Sequence, residues 1–404
     1  MRIAEINMMN SGSTGKIMFG IAEIARKNGD DVWTFSPRNY QKAKKNEWLE
    51  IKGHNYFGSV TENKMHLRIS QVTGLHGCFS WFGTKDLLRM MDEIQPDIVH
   101  LHNLHNWTIN LPMLFRYIKK HNISVVWTLH DCWSFTGKCP YFTAAKCNRW
   151  KTGCFDCPQV RQYPQCLVDQ TRLMWKLKKR WFSGVKNLTV VTPSQWLAEL
   201  VRQSFLAEYP VQVINNGIDL SIFHPRQSDF RKRHKISDDK YLLLGVAFDW
   251  GVRKGLDVFV ELSRRLRNRF QIVLVGTEPS TDELLPANII SIHKTQNQEE
   301  LAEIYTTADL FVNPTREENY PTVNMESIAC GTPVLTFRTG GGPEIVDDTC
   351  GSVVDCDDID AMEKEICRIC AEQPYSMEQC LKKAQSFDMN LKFEEYVKLY
   401  EQKQ

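Results

Sequence analysis

Two glutamates with seven residues between them, Glu318 and Glu326, flank a segment whose residue types could hold a phosphate. Between them lie Pro321 and a stretch, Thr322 to Cys330, that reads as a helix with Val323, Met325, Ile328 and Ala329 on its apolar side. Proline suits a helix start because its missing N–H is not needed there. The first N–H groups, on Thr322, Val323 and Asn324, and the positive end of the helix dipole would face the preceding loop, where an anion binds. Glu318 lies in that loop, and Glu326 lies about 7–8 Å along the axis from Pro321. Carboxylates on either side of a phosphate site suit a sugar at one end and a ribose at the other. The plain alternative is a pair of solvated side chains. The proline start and the nearby glycine run, Gly340-Gly341-Gly342, favour a site.

The flanking elements are those of an open parallel sheet. Leu310-Phe311-Val312 ends one buried strand and Val334-Leu335-Thr336-Phe337 forms the next. Gly331 fits just past the helix, and the glycine run with Pro343 is expected to open a second helix at Glu344. In such sheets ligands bind beyond the C-terminal ends of the strands. Other strand ends carry further candidates. Leu242 to Ala247 precedes Asp249-Trp250-Gly251-Val252-Arg253-Lys254-Gly255, with two adjacent cations. Ile3 to Ile6 precedes a glycine-bearing loop, Asn10 to Lys16, in which Gly12 and Ser13 could approach a phosphate. Only two residues separate Gly12 from Gly15, so this is not the loop of nucleoside triphosphatases. Ser124 to Leu129 ends in His130-Asp131. Asp97 to His102 ends in Asn103-Leu104-His105-Asn106. Its three histidines have no neighbouring carboxylate in sequence and suit acceptor contact or a structural role better than a metal.

Glu318-x7-Glu326, continued by Ser327-Ile328-Ala329-Cys330-Gly331-Thr332-Pro333-Val334, resembles the donor-binding signature of glycosyltransferase family 4. The Gly-Gly-Gly-Pro-Glu run resembles that family's next motif, and the resemblance extends over nearly the whole chain. It implies an α/β protein of GT-B fold, two doubly wound Rossmann-like domains facing across a cleft. It also implies transfer of a sugar from a nucleotide-diphosphate sugar with retention of configuration. By that resemblance Glu318 contacts the transferred sugar, Glu326 holds the ribose hydroxyls, and Lys254 clamps the diphosphate. Thr322 and Val323 meet the phosphates, Gly12 and Ser13 lie near the diphosphate, and His130 lies against the donor sugar. Asp131 is a candidate for acceptor binding or proton transfer. The family places an arginine five or six positions before the lysine, where this chain has Asp249 and Phe248; Arg253 is the candidate replacement. Two cations there would offset the charge of a departing diphosphate, so no catalytic metal is required.

Thirteen cysteines are unevenly spaced. Cys139, Cys147, Cys154 and Cys157, flanked by Cys132 and Cys166, occupy a loop rich in Lys, Arg, Gly and Pro. Four thiolates could close a structural zinc site. Free or redox-active thiols and disulfides stay open as alternatives. Such insertions resemble those of the family branch that includes colanic acid biosynthesis glycosyltransferases.

The 404 residues suggest two domains, 1–225 with a cysteine-rich insertion near 132–166 and 236–385, with a polar hinge over 221–240. A last helix over 386–404 is expected to return to the first domain. Residues 1–225 hold 28 Lys and Arg against 17 Asp and Glu, and residues 226–404 hold 22 against 31. A basic half beside an acidic one suggests that the first faces something anionic. The basic segment Arg172 to Trp181, with Met and Trp interleaved, could lie on an anionic membrane near a lipid-linked acceptor. No stretch has the length of a membrane span, and the first residues read as a strand, not a signal peptide. These features suggest a cytoplasmic, peripheral protein at the inner face of the membrane, and the family resemblance implies a role in surface polysaccharide biosynthesis. Its partners would be a nucleotide sugar and a saccharide or lipid-linked acceptor, with no nucleic acid. A nucleotide-sugar epimerase of the same fold and a non-catalytic binder of sugar nucleotides are the rival readings.

Overall fold

The computed structural model describes residues 1–38, 53–105, 107–266 and 268–403. Residues 39–52, part of the stretch 38–93 that the family resemblance implies for the acceptor pocket, lie outside that description, as do Asn106, Arg267 and Gln404. The chain divides into two units, Met1–Asn215 with Lys392–Gln404, and Asn216–Leu391.

In the first unit the strands are β1 (Arg2–Ile6), β2 (Asp31–Pro37), β3 (His54–Phe57), β4 (Ile98–Leu101), β5 (Ser124–Thr128), β6 (Leu188–Thr192) and β7 (Val211–Val213). They pair in parallel in the order β3-β2-β1-β4-β5-β6-β7. The second unit has β8 (Tyr241–Val246), β9 (Phe270–Val275), β10 (Ile289–Ile292), β11 (Leu310–Asn313), β12 (Val334–Phe337) and β13 (Gly351–Val354). Its parallel order is β10-β9-β8-β11-β12-β13. Helices cross over between strands and cover both faces. Central strands are therefore apolar without alternation, as in Leu310-Phe311-Val312, all buried. Strand order reverses between β1 and β4 and again between β8 and β11. Loops diverge there, leaving a crevice at the strands' C-terminal ends.

The last helix, Met389–Glu401, buries Phe393, Tyr396, Val397 and Tyr400. From Lys392 onward it belongs to the first unit, where Tyr400 Oη meets His100 Nδ1 at 2.6 Å. The units divide at Asn215, earlier than the polar stretch 221–240 suggests. Ile218, Phe223, Phe230 and Ile236 are buried in the core of the second unit, so that stretch is part of a domain and not a hinge.

Two local expectations also change. The glycine run opens a single 3-10 turn, Gly342–Glu344, instead of a helix, and Ile345 N–H donates to Gly342 O. Consecutive glycines give helix propagation little support. The helix predicted from Thr322 spans Thr322–Ala329, and Pro321, with ψ 113°, caps it from outside. Among the described residues no helix is long and apolar enough to cross a membrane.

Candidate active site

The reversal between β8 and β11 gathers the charged candidates of the second unit. A short turn, Val252–Lys254, follows β8 and ends in Gly255, whose φ is +76°. A Cβ at Gly255 would lie 2.4 Å from Pro314 O, so only glycine lets the turn lie against the loop after β11. Arg316 N–H donates to Arg253 O at 2.9 Å across that contact. Lys254 Nζ and Glu318 Oε2 form an ion pair there, with side chains 19% and 17% exposed. Burial alone would raise the Glu318 pKa. The Lys254 charge and hydrogen bond, the Asn319 N–H and the Arg253 charge outweigh it, and the net shift is downward. Glu318 is therefore an anion held beside two cations.

Gly340, at φ +55°, explains the glycine run. A Cβ there would fall 1.7 Å from Glu318 O, and Gly341 N–H donates to Asn319 O at 2.7 Å. The run clamps the Glu318 backbone directly. Arg316, which the sequence reading passed over, is a second anchor. It bonds both Asp257 oxygens at 2.8 Å and Asp357 at 2.7 Å. That commitment removes it as a substitute for the arginine missing before Lys254. Phe248, at one of the two positions in question, is 98% exposed.

The helix Thr322–Ala329 starts from the same loop. Asn324 N–H bonds Pro321 O at 3.2 Å, so the expected trio of free donors reduces to Thr322 and Val323. Glu326, half-buried one turn along, accepts from Tyr305 Oη at 3.3 Å. The second unit thus brings together Arg253, Lys254, Glu318 and the helix start, with Glu326 beyond them.

In the first unit, Gly12 and Ser13 are the first residues of the helix Gly12–Lys27, next to the end of β1. His130 and Asp131 follow β5. Asp131 Oδ2 meets His105 Nε2 at 2.9 Å, and its Oδ1 accepts from Trp133 N–H at 2.8 Å. Burial pushes the Asp131 pKa up, but His105, the Trp133 N–H and His130 bring it below the ordinary carboxylate value. It is an orienting carboxylate and a poor base. His130 Nε2 lies 3.2 Å from His102 Nδ1. Burial pulls the His130 pKa down to about 4, against a smaller upward pull from Asp131.

His100 of β4 and His102 just after it do have a carboxylate neighbour, which their local sequence does not show because it comes from β1. Glu5 of β1 pairs in register with His100. Glu5, His100 and His102 place potential ligand atoms within 4.8 Å of one another. His100 already uses both ring nitrogens, with Tyr400 Oη at 2.6 Å and Thr128 Oγ1 at 2.8 Å, so the cluster reads as a hydrogen-bond network.

Cys139, Cys147, Cys154 and Cys157 also converge. Each thiol is within electrostatic reach of the other three, and burial with this crowding pushes Cys139 up to about 12 and Cys154 up to about 11. Gly137 N–H donates to Cys154 Sγ at 3.1 Å. The buried Lys178 donates to Trp133 O at 2.7 Å and Thr136 O at 3.1 Å, and its charge reaches Cys139 and Cys154. The donor set fits zinc in kind, with a hydrogen bond and a cation around it. No three of the sulfurs lie within 4.8 Å of one another, so ligation requires the loop to draw inward. None of the cysteines is paired in a disulfide.

The basic helix Thr171–Phe182 turns its interleaved residues inward. Met174 is buried, and Trp175 Nε1 donates to Trp150 O at 2.8 Å. Arg172, Leu173, Lys176, Lys179 and Arg180 form the exposed face. Beside it a groove of about 590 Å³ is lined by Arg116, Lys119, Lys120 and Arg180 with Phe115 and Trp181.

Comparison with known proteins covers both units. Residues 18–222 match the family model described as Glycosyltransferase Family 4, and residues 240–372 match Glycosyl transferases group 1. A protein of Escherichia coli K12 named for colanic acid biosynthesis, the glycosyl transferase WcaC, is 26% identical over 64% of this chain and 64% of its own. The chain covers less than two thirds of the length of the curated relatives it matches, 34% and 40% for the next two. Sucrose-phosphate synthase from Thermosynechococcus elongatus superposes with a TM-score of 0.73 at 18% identity, over 99% of this chain and 98% of that one. Anabaena HepE, in complex with UDP-glucose, gives 0.69 at 12% identity over all of both chains. These likenesses show the GT-B fold. With more than half of its length matched by the family model, the chain belongs to glycosyltransferase family 4.

Proposed function

We propose that this protein is a retaining glycosyltransferase that moves a hexosyl group from a nucleotide-diphosphate sugar to a saccharide or lipid-linked saccharide in surface polysaccharide biosynthesis. The observation that carries this reading is the Lys254–Glu318 ion pair beside Arg253 at the start of the helix Thr322–Ala329. Two cations and a helix N-terminus suit a diphosphate, and an anion beside them suits sugar hydroxyls. Glu326 would hold the ribose. HepE, solved with UDP-glucose, supports a nucleotide-sugar ligand for this fold.

In the reaction the bond from the anomeric carbon to the diphosphate oxygen breaks. A bond to the acceptor oxygen forms on the same face, and the acceptor proton passes to the departing phosphate. Negative charge grows on the diphosphate, where Arg253, Lys254 and the N–H groups of Thr322 and Val323 would stabilise it. Gly12 and Ser13 would approach the same diphosphate. His130 would contact the sugar, and Asp131 would orient His105 on the acceptor side. The test is release of nucleoside diphosphate from a panel of UDP-, GDP- and ADP-sugars, beside Glu326→Ala. Release from one donor, lost in the variant, is expected, and with acceptor present NMR should show retained anomeric configuration. Inversion, or no binding of any sugar nucleotide, refutes the reading.

The cysteine loop is proposed to hold one structural zinc through Cys139, Cys147, Cys154 and Cys157. Metal analysis of purified protein should give about one zinc per chain, and a metal-free, fully folded preparation overturns it. The basic groove is proposed to rest on anionic lipid head groups, placing the protein at the cytoplasmic face of the membrane. Flotation with phosphatidylglycerol vesicles, lost with Lys119→Glu and Arg180→Glu, is the expected result.

A further inference from the structure

Glu5 is a carboxyl in the middle of a strand buried on both faces, and nothing in the reaction above uses it. Its side chain and those of His100 and His102 are 0–1% exposed. Its Oε1 is 3.5 Å from Tyr400 Oη. Its Oε2 has no hydrogen-bond partner, and neither has His102 Nε2. These two orphaned atoms face each other at 3.6 Å. That is longer than a hydrogen bond, and an approach of about half an ångström closes it. On the other side of the same ring, His102 Nδ1 is 3.2 Å from His130 Nε2. The two imidazoles are within 12° of coplanar, with centroids 5.5 Å apart, the edge-to-edge arrangement that an in-plane N–H···N bond requires. Glu5, His102 and His130 therefore form a line of three groups ending at the strand-end histidine.

A neutral imidazole has one N–H and one lone pair. Along such a line each bond fixes the direction of the next. We propose that Glu5 and His102 are positioning residues that set which nitrogen of His130 carries its proton. The Glu5 carboxyl donates to His102 Nε2, His102 Nδ1–H donates to His130 Nε2, and His130 is held as its Nδ1–H tautomer.

The opposite direction needs an ionised Glu5 accepting from His102. The groups facing Glu5 do not support an anion. They are His100, His102 and the Tyr400 and Tyr396 hydroxyls, with Arg26 as a more distant cation. Arg26 is itself turned to Val32 O, at 2.7 Å. Burial raises the Glu5 pKa well above its ordinary value and lowers that of His102 well below its own, and both shifts favour the neutral form. The inference rests on the proposed contact between His130 and the donor sugar for its use. A neutral N–H donor there can bond a sugar oxygen without placing a cation beside an anomeric carbon that becomes positive in the transition state.

The tautomer can be read without any substrate. Two-bond 1H–15N correlation spectra of full-length, 15N-histidine-labelled protein distinguish Nδ1–H from Nε2–H, with His130→Asn assigning the signal. His130 is expected as Nδ1–H from pH 6 to pH 8. Glu5→Gln, whose amide still donates, should keep that tautomer, and Glu5→Met should give a mixture. An Nε2–H tautomer in the unmodified protein overturns the proposal, whether or not either variant folds. So does a pattern unchanged in a folded Glu5→Met. Nucleoside diphosphate release then tests the use of the relay. Glu5→Met should lower kcat about tenfold with KM unchanged, and Glu5→Gln should restore it. An altered tautomer with an unaltered rate refutes the sugar contact of His130 and leaves the relay standing.

Discussion

The two strand-order reversals hold opposite kinds of polar site. Between β8 and β11 the residues are charged, paired with one another and partly open to solvent, with Lys254 against Glu318 and Arg253 near both. Between β1 and β4 Glu5 and His102 are buried, with His130 half-buried after β5, and burial favours the neutral form of all three. Burial decides the difference. An ion pair near the surface keeps enough water to remain ionised and to exchange partners, so Lys254 can leave Glu318 for a phosphate. A fully buried group without a counter-ion gives up its charge and works by the direction of its hydrogen bonds. One edge is suited to handle charge and the other to orient a neutral donor.

The largest effects should come from disturbing the charged edge. Lys254→Ala is expected to lower nucleoside diphosphate release about 10²-fold or more, and calorimetry should show weaker binding of the diphosphate product. Glu318→Gln separates charge from contact. It too should slow release, yet the product should bind several-fold more tightly, because Lys254 no longer has an anionic neighbour. Weaker product binding in Glu318→Gln would mean that the pair is structural and does not open for phosphate.

Gly340→Ala attacks the same edge through its backbone. The residue needs φ +55° and has no room for a Cβ against Glu318 O. It should cost at least about 2 kcal/mol in the second unit, read as a lowered denaturation midpoint. A midpoint unchanged from the parent would show that the glycine run yields, and that the Glu318 backbone is not clamped by it.

Asp131→Asn probes the one anion on the neutral side. The folded pKa of Asp131 lies below the ordinary value, so its contribution is complete above the unfolded value near 3.9 and is lost as pH falls through the folded one. The variant should be about 1–3 kcal/mol less stable at pH 7, and the gap should narrow only below about pH 4. A gap that closes between pH 5 and pH 7 would assign it to another group.

Legibility from sequence follows the same division. Glu318, Glu326, Lys254 and the glycine run were readable because strand, loop and helix signals lie side by side, and the β8–β11 site is built from two loops of that kind. His130 was readable as a strand end. The neutral network was not, because its partners are far apart in sequence. His100 meets Tyr400 across 300 positions, and Thr128 meets Tyr396 across 268. Glu5 did carry a signal, a lone carboxylate set between Ile3-Ala4 and Ile6, which a sheet covered on both faces should not tolerate without a reason. Arg316 and Lys178 carried none. Their partners, Asp257 and Asp357 for the first and the carbonyls of Trp133 and Thr136 for the second, are fixed only by the packed fold. The 221–240 stretch misled because its polar residues outnumber Phe223 and Phe230, which decide where it packs.

Tyr400→Phe should have the smallest effect on the reaction and draws the sharpest boundary on the neutral side. The ring stays to fill its space, and only the hydroxyl is lost. His100 Nδ1 loses a partner at 2.6 Å and Glu5 Oε1 one at 3.5 Å. A buried acceptor left without a donor costs about 1–2 kcal/mol, measurable as a shift in the denaturation midpoint. The relay uses the other Glu5 oxygen, which faces His102, so release of nucleoside diphosphate should change less than about twofold. A rate loss as large as that of Glu5→Met would place Tyr400 inside the relay. The last helix would then act on His130 through Glu5, and the orienting edge of the first unit would include a residue from the far end of the chain.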